Sequence, residues 1–127
     1  MVEPQRIKTK FKKLSKARQI LFPLKRGEFK PSIQKGVYII FDASDRPVHV
    51  GCTPRGQWGL YQRLSNHLQG QSSFVWNYRP LEKKGNKLRG KYFYKYLIVK
   101  SARQRKLLEA YAIGQLCPKY IGEDGYQ

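Results

Sequence analysis

GVYIIFDASDRPVHVGC, residues 36–52, decides how this chain is read. Two short runs, 36–42 and 47–52, are rich in branched and aromatic side chains and enclose a polar turn near Ala43-Ser44-Asp45-Arg46. That pattern predicts a β-hairpin. A turn of two or four residues centred between Ser44 and Asp45 sets Tyr38 opposite Gly51 and Ile40 opposite His49. Opposed residues share one face of a sheet, so Tyr38 and His49 then stand on the same side, one diagonal step apart. Gly51 offers no bulk and leaves room over the Tyr38 phenol. A three-residue turn breaks this parity.

Further along, residues 57–69, QWGLYQRLSNHLQ, carry Leu60, Leu64, His67 and Leu68 at helical spacing, with Arg63 one turn before His67. Residues 92–99, YFYKYLIV, read as a third strand. Residues 101–116 repeat apolar side chains at a helical period, with Ser101 as N-cap and Pro118 as the stop. Glu109 is followed by Ala112, Ile113 and Leu116 and so borders the apolar stripe. A carboxylate there needs a cation, a metal or a hydrogen-bond donor; a marginal salt bridge is the ordinary explanation. The order strand, strand, helix, insert, strand, helix predicts a small α/β layer of the α+β kind. Its core is a three-stranded antiparallel sheet flanked by helices.

The insert, residues 70–91, holds Trp76, Tyr78 and the basic run Lys83, Lys84, Lys87, Arg89 and Lys91. Aromatics among cations suit nucleic acid, by stacking and phosphate contact. A solvent loop with its aromatics tucked under has the same composition. Residues 1–30 hold ten basic side chains, Lys12 and Lys13 among them, and two acids. They read either as a solvated tail or as a basic arm that follows a phosphate backbone. Ile20-Leu21-Phe22 before Pro23 docks the end of that arm on a domain spanning 31–127.

The whole chain has 127 residues and 40% apolar side chains, which suits one domain with a modest core. Its 26 Lys and Arg against 8 Asp and Glu give a net charge of +18 and point to a polyanionic partner. No run approaches 18 apolar residues, and the start lacks the apolar region of a secretory signal. The chain therefore reads as intracellular, in the cytoplasm or with the nucleoid or nucleus, and away from membranes. Cys52 and Cys117 make no disulfide framework. With His49 and His67 they lack the two closely spaced pairs of a structural zinc site, so they read as ordinary thiols.

The ordered set Gly36-Val37-Tyr38, His49-Val50-Gly51, Arg63, His67 and Glu109 resembles the GIY-YIG nuclease family, from residue 36 to about 120. Gly36-Val37-Tyr38 matches the first triplet. His49-Val50-Gly51 occupies the second, with histidine where tyrosine is usual. Arg63 matches the family arginine and Glu109 the metal-binding glutamate. His67 stands where some restriction-enzyme members carry a histidine. The family's asparagine after the last helix is missing, and Ile121 lies near its place.

The resemblance implies a DNA endonuclease of restriction, repair or recombination type that uses Mg²⁺ or Mn²⁺ on Glu109. Arg63 grips phosphate, Tyr38 takes a proton from water, and His67, or else His49, accepts the phenol proton. The implied partner is double-stranded or branched DNA, with a homodimer as one form of the protein. Arg63, Lys83, Lys84, Lys87, Arg89, Lys12 and Lys13 are its expected contacts. Two rivals stay open, a catalytically weak binding module on the same fold and a generic basic RNA-binding protein.

Overall fold

A computed structural model describes residues 2–53 and 58–122. Helix α1, Glu3–Lys16, comes first. Pro4 sits in its first turn beside Glu3, and Lys13 and Lys16 in its last, each sign of charge complementing the helix dipole. The residues read as a tail or arm are thus a packed helix over this range. Ile7 and Leu14 are buried, and Phe11 meets Tyr111 edge to face at 5.3 Å. Those three apolar residues recur at helical spacing within a run of lysines, and burying them outweighs the solvation of the charges around them. Arg103 clamps Glu3 at 2.8 Å.

The sheet has four strands rather than three. Strands β1 (Ile20–Leu21), β2 (Gly36–Phe41), β3 (Pro47–Cys52) and β4 (Phe93–Ile98) are ordered β1-β4-β2-β3, and every pairing is antiparallel. The additional strand is two residues long, paired as Ile20 with Tyr94 and Leu21 with Phe93. It is too short to show a period of two. Phe22 follows it into full burial against Tyr94 at 4.9 Å.

The hairpin keeps the expected opposition of Tyr38 with Gly51 and Ile40 with His49, by another route. Asp42 and Arg46 close a three-residue loop. The Asp42 carboxylate accepts from the Ser44 and Arg46 amides at 2.9 and 3.0 Å, and Asp45 takes a left-handed φ of 65°. Such a loop breaks the parity, and an irregularity restores it: Phe41 pairs with Pro47 while Ile40 pairs with His49, so Val48 is the extra residue.

Helix α2 (Gly59–Leu68) packs on β2, as does helix α4 (Ala102–Leu116). Gln57, the first residue of the expected first helix, lies outside the described residues. Ser101 caps α4, its hydroxyl accepting from the Gln104 amide at 3.2 Å. The insert is folded. It forms helix α3 (Ser73–Asn77) and two 3-10 turns, Arg79–Leu81 and Gly85–Leu88, which bury Phe74, Val75, Tyr78, Leu81 and Leu88. A side chain at Gly85 would overlap the carbonyls of His67 and Leu68, so glycine is what lets the insert close on α2.

β2 therefore divides two cores. Tyr38 and Ile40 pack with α2 and the insert; Val37, Ile39 and Phe41 pack with α1 and α4. Among the described residues, no helix is long and apolar enough to cross a membrane.

Candidate active site

Tyr38 points from the centre of β2 toward α2 and has no exposed surface. A Cβ at position 51 would fall on the phenol oxygen, so Gly51 makes the space that the phenol fills. Its oxygen lies 2.6 Å from His67 Nε2. The Arg63 guanidinium, one turn earlier on α2, stands beside the phenol and its charge acts to lower the phenol's pKa. On its far side His67 presents Nδ1 to Ser72 Oγ at 2.7 Å, and Ser72 also caps α3 through the Val75 amide at 3.3 Å.

His49 enters from β3. Its ring lies flat on Phe74, centroids 4.6 Å apart and planes at 8°, and edge-on to His67 at 5.3 Å. Tyr38 and Tyr120 complete the ring cage at 5.8 and 5.6 Å. Among the described residues, both His49 nitrogens are buried with no hydrogen-bond partner, and so is Arg63 Nε. These orphans border a cavity of about 280 Å³, whose wall includes His49, Arg63, Phe74, Glu109 and Tyr120. Glu109 reaches it from α4, on the other side of the sheet from α2, and its charge acts on the neighbouring Cys52 thiol.

Burial dominates the protonation states. It pushes the Tyr38 phenol well above its ordinary range, against the pull of Arg63. It pushes His49 down to about 3 and His67 well below its usual value, with the Arg63 charge acting the same way. It pushes the Cys52 thiol up to about 11, helped by the neighbouring Glu109 charge. At neutral pH the phenol is thus protonated, both imidazoles are neutral, and Arg63 and Glu109 bring the charges to the described cavity wall.

Tyr38, His49, Arg63, His67 and Glu109, scattered over four elements, therefore meet at one place. Apart from Arg63, the expected nucleic-acid contacts do not join them there. Lys83 sits over the Trp76 ring at 5.1 Å, Lys87 pairs with Glu82, and Arg89 donates to the Pro23 carbonyl at 3.0 Å. Lys84 is exposed on the insert, while Lys12 and Lys13 are exposed on α1, across the sheet. Ser72, Phe74, Tyr120 and Cys52 belong to the site and were not anticipated. Ser72 carried a signal, a serine directly before the apolar-rich SFVWN. Cys52 carried none, because the carboxylate beside it lies 57 residues away in sequence.

No family model and no curated protein matches this chain. Solved structures similar to it include two forms of one domain. One is the N-terminal GIY-YIG endonuclease domain of UvrC from Thermotoga maritima, bound to its catalytic divalent cation, magnesium. It is 22% identical, with a TM-score of 0.49, over 95% of this chain and 99% of that one. The other is a tyrosine-to-phenylalanine point mutant of the same domain with its divalent cation, at the same identity and score, over 95% and 98%.

Proposed function

We propose that this chain is a divalent-metal-dependent DNA endonuclease of the GIY-YIG kind. One observation carries the reading: the Tyr38 phenol meets His67 Nε2 at 2.6 Å, beside Arg63 and a cavity walled by His49, Arg63 and Glu109. A marginal salt bridge does not account for Glu109, since among the described residues it pairs with no cation.

The residues fit a hard cation. Among the described residues, no three His, Cys, Asp or Glu side chains gather as a metal cage, and Glu109 is the carboxylate on the cavity wall. One carboxylate plus a substrate phosphate suits Mg²⁺ or Mn²⁺. Such an ion, when bound, offsets the negative charge that develops on the phosphoryl oxygens. Arg63 offers a forked grip for non-bridging oxygens, and its orphaned Nε is free for one of them.

Tyr38 passes its proton to His67 Nε2 and then, as phenolate, takes one from the attacking water. Because the phenol is fully enclosed, substrate must first draw Arg63 toward phosphate and open the oxygen to the cavity. His49 supplies a neutral ring whose nitrogens can hydrogen-bond water or phosphate. His67 at this position favours a restriction type over repair or recombination. The substrate in this reading is double-stranded or branched DNA inside a cell, and a homodimer would bring one site to each strand of a duplex.

The enclosed phenol also favours a second reading, a binding module that kept the site without turnover. Supercoiled plasmid separates the two. Nicked or linear product with Mg²⁺ or Mn²⁺, lost with EDTA, supports the enzyme; retention of plasmid without any cleavage supports the module.

A further inference from the structure

Ser72 lies in the insert, yet it is the last link of a hydrogen-bonded chain that starts beside Arg63 and the cavity: Tyr38, His67, Ser72. The direction of each bond follows from counting donors. Guanidinium can only donate, so the neighbouring Arg63 offers no acceptor to the Tyr38 phenol. Its own O–H then needs an acceptor, and the described neighbour able to accept is His67 Nε2, at 2.6 Å. An Nε2 that accepts leaves the ring proton on Nδ1, which points at Ser72 Oγ.

The opposite tautomer would send a Ser72 O–H toward Nδ1 and leave the phenol O–H with nothing to meet. Burial decides between them. Tyr38 is 0% exposed, whereas Ser72 is 6% exposed, and its oxygen already meets the Val75 amide at 3.3 Å. An unmet donor is costlier on the enclosed residue.

We propose that Ser72 is a positioning residue: its hydroxyl oxygen accepts the Nδ1 proton of His67 and so keeps Nε2 bare for the phenol proton of Tyr38. When that proton moves, the Tyr38 O–H bond breaks and an Nε2–H bond forms. The imidazolium that results is held by Ser72. Water then returns a proton to the phenolate oxygen as its oxygen bonds to phosphorus; the bond from phosphorus to the leaving oxygen breaks, that oxygen takes a proton from solvent, and His67 releases its extra proton to solvent. The purpose of this arrangement rests on the nuclease reading; the tautomer does not.

The test uses the full chain labelled with ¹⁵N. It has two histidines, so a His49→Phe variant assigns the remaining imidazole to His67. Long-range ¹H–¹⁵N correlation spectra should show a neutral His67 protonated at Nδ1. Ser72→Ala should move population toward the Nε2–H form and lower kcat about tenfold, with the KM for plasmid DNA unchanged. Ser72→Thr, which keeps an oxygen there, should restore both readouts.

A wild-type His67 protonated at Nε2 overturns the proposal, as does a folded Ser72→Ala with an unchanged tautomer. If Ser72→Ala fails to fold for want of the α3 cap, the wild-type spectrum and Ser72→Thr still decide. A wild type protonated at Nδ1 that cleaves nothing leaves the tautomer standing and removes the nuclease reading alone.

Discussion

The two faces of β2 are equally buried and chemically opposite. Val37, Ile39 and Phe41 meet Ile7, Leu14, Leu108 and Ala112 in an apolar core. Tyr38, on the other face, stands among His49, His67, Ser72 and Arg63, and three of the nitrogens there have no partner among the described residues. An unmet buried donor or acceptor costs about 1–3 kcal/mol. The apolar face reads as packing selected for stability. The polar face tolerates a loss of stability, and strain of that kind collects where a ligand completes the bonds.

A second contrast sharpens the first. Arg105 is as buried as any core residue and donates to the carbonyls of Thr53, Val99 and Lys100 at 2.8 to 3.1 Å. It ties α4 to the ends of β3 and β4. Arg63, half-buried, leaves Nε unmet beside a cavity. The two share a residue type, but one closes the structure and the other opens toward something absent from it.

The comparison breaks most visibly at Glu109. Glu109→Ala should abolish metal-dependent plasmid cleavage while leaving the melting temperature within a few degrees, because the side chain is only partly buried and unpaired. DNA retention should persist, since the net charge of +18 becomes more positive. Cleavage at the wild-type rate would remove the carboxylate from the site.

Tyr38→Phe comes next. It keeps the ring over Gly51 and deletes the oxygen that meets His67. Single-turnover cleavage should slow about 10²–10⁴-fold if the phenol carries a proton. The fold should survive, monitored by near-ultraviolet circular dichroism. Undiminished cleavage by a folded variant would return Tyr38 to the class of core aromatics.

Much of this was legible beforehand, and the gaps have physical reasons. The pairing of Tyr38 with Gly51 follows from strand alternation, which is local. The three-residue loop and the compensating bulge at Val48 cancel each other, so the correct opposition could be reached from an incorrect turn. In α1, six lysines and arginines hid an Ile7–Phe11–Leu14 stripe whose partners, Leu108 and Tyr111 among them, come about a hundred residues later. The insert's core, Phe74 to Leu88, is held by 3-10 turns and the unusual left-handed Glu82 and Lys83, for which no simple period exists. Residues that act through a single side chain were legible by type and order. Those that support them from another element, such as Ser72, were not.

A third, smaller effect separates the faces by pH. His49 in the unfolded chain binds a proton below about 6.5, while in the fold it stays neutral until about 3. Between those values the unfolded state holds the extra proton, so stability falls as pH falls. The slope approaches about 1.4 kcal/mol per pH unit for one histidine. His67 adds to it in the same direction. His49→Phe keeps the stack on Phe74 and removes both orphaned nitrogens. It should raise stability by about 1 kcal/mol at pH 7 and flatten the acid slope by one proton. Ile39→Val on the apolar face should lower stability by a similar amount, about 1 kcal/mol, with no change in slope. Urea titrations from pH 4 to 8 read both, and parallel slopes in wild type and His49→Phe would mean that His49 is protonated in the fold.

The smallest effect lies on the outer surface, where the two sides of the sheet compete for DNA. Lys12 on α1 and Lys84 on the insert are both exposed, and neither has a described side-chain partner. Each phosphate contact adds about 0.9 to the slope of log affinity against log salt for duplex DNA. Lys84→Ser should lower that slope by about 0.9 if the insert, which shares its core with Tyr38 and His67, lies along the backbone. Lys12→Ser should do the same only if DNA also reaches α1, behind the apolar face. Both changes remove one surface charge and neither removes a buried atom, so the fold is an internal control. Equal losses would mean that the duplex spans both sides of the sheet. A loss confined to Lys84→Ser would leave α1 a structural helix whose positive charge is solvated, with the polar face alone addressing the substrate.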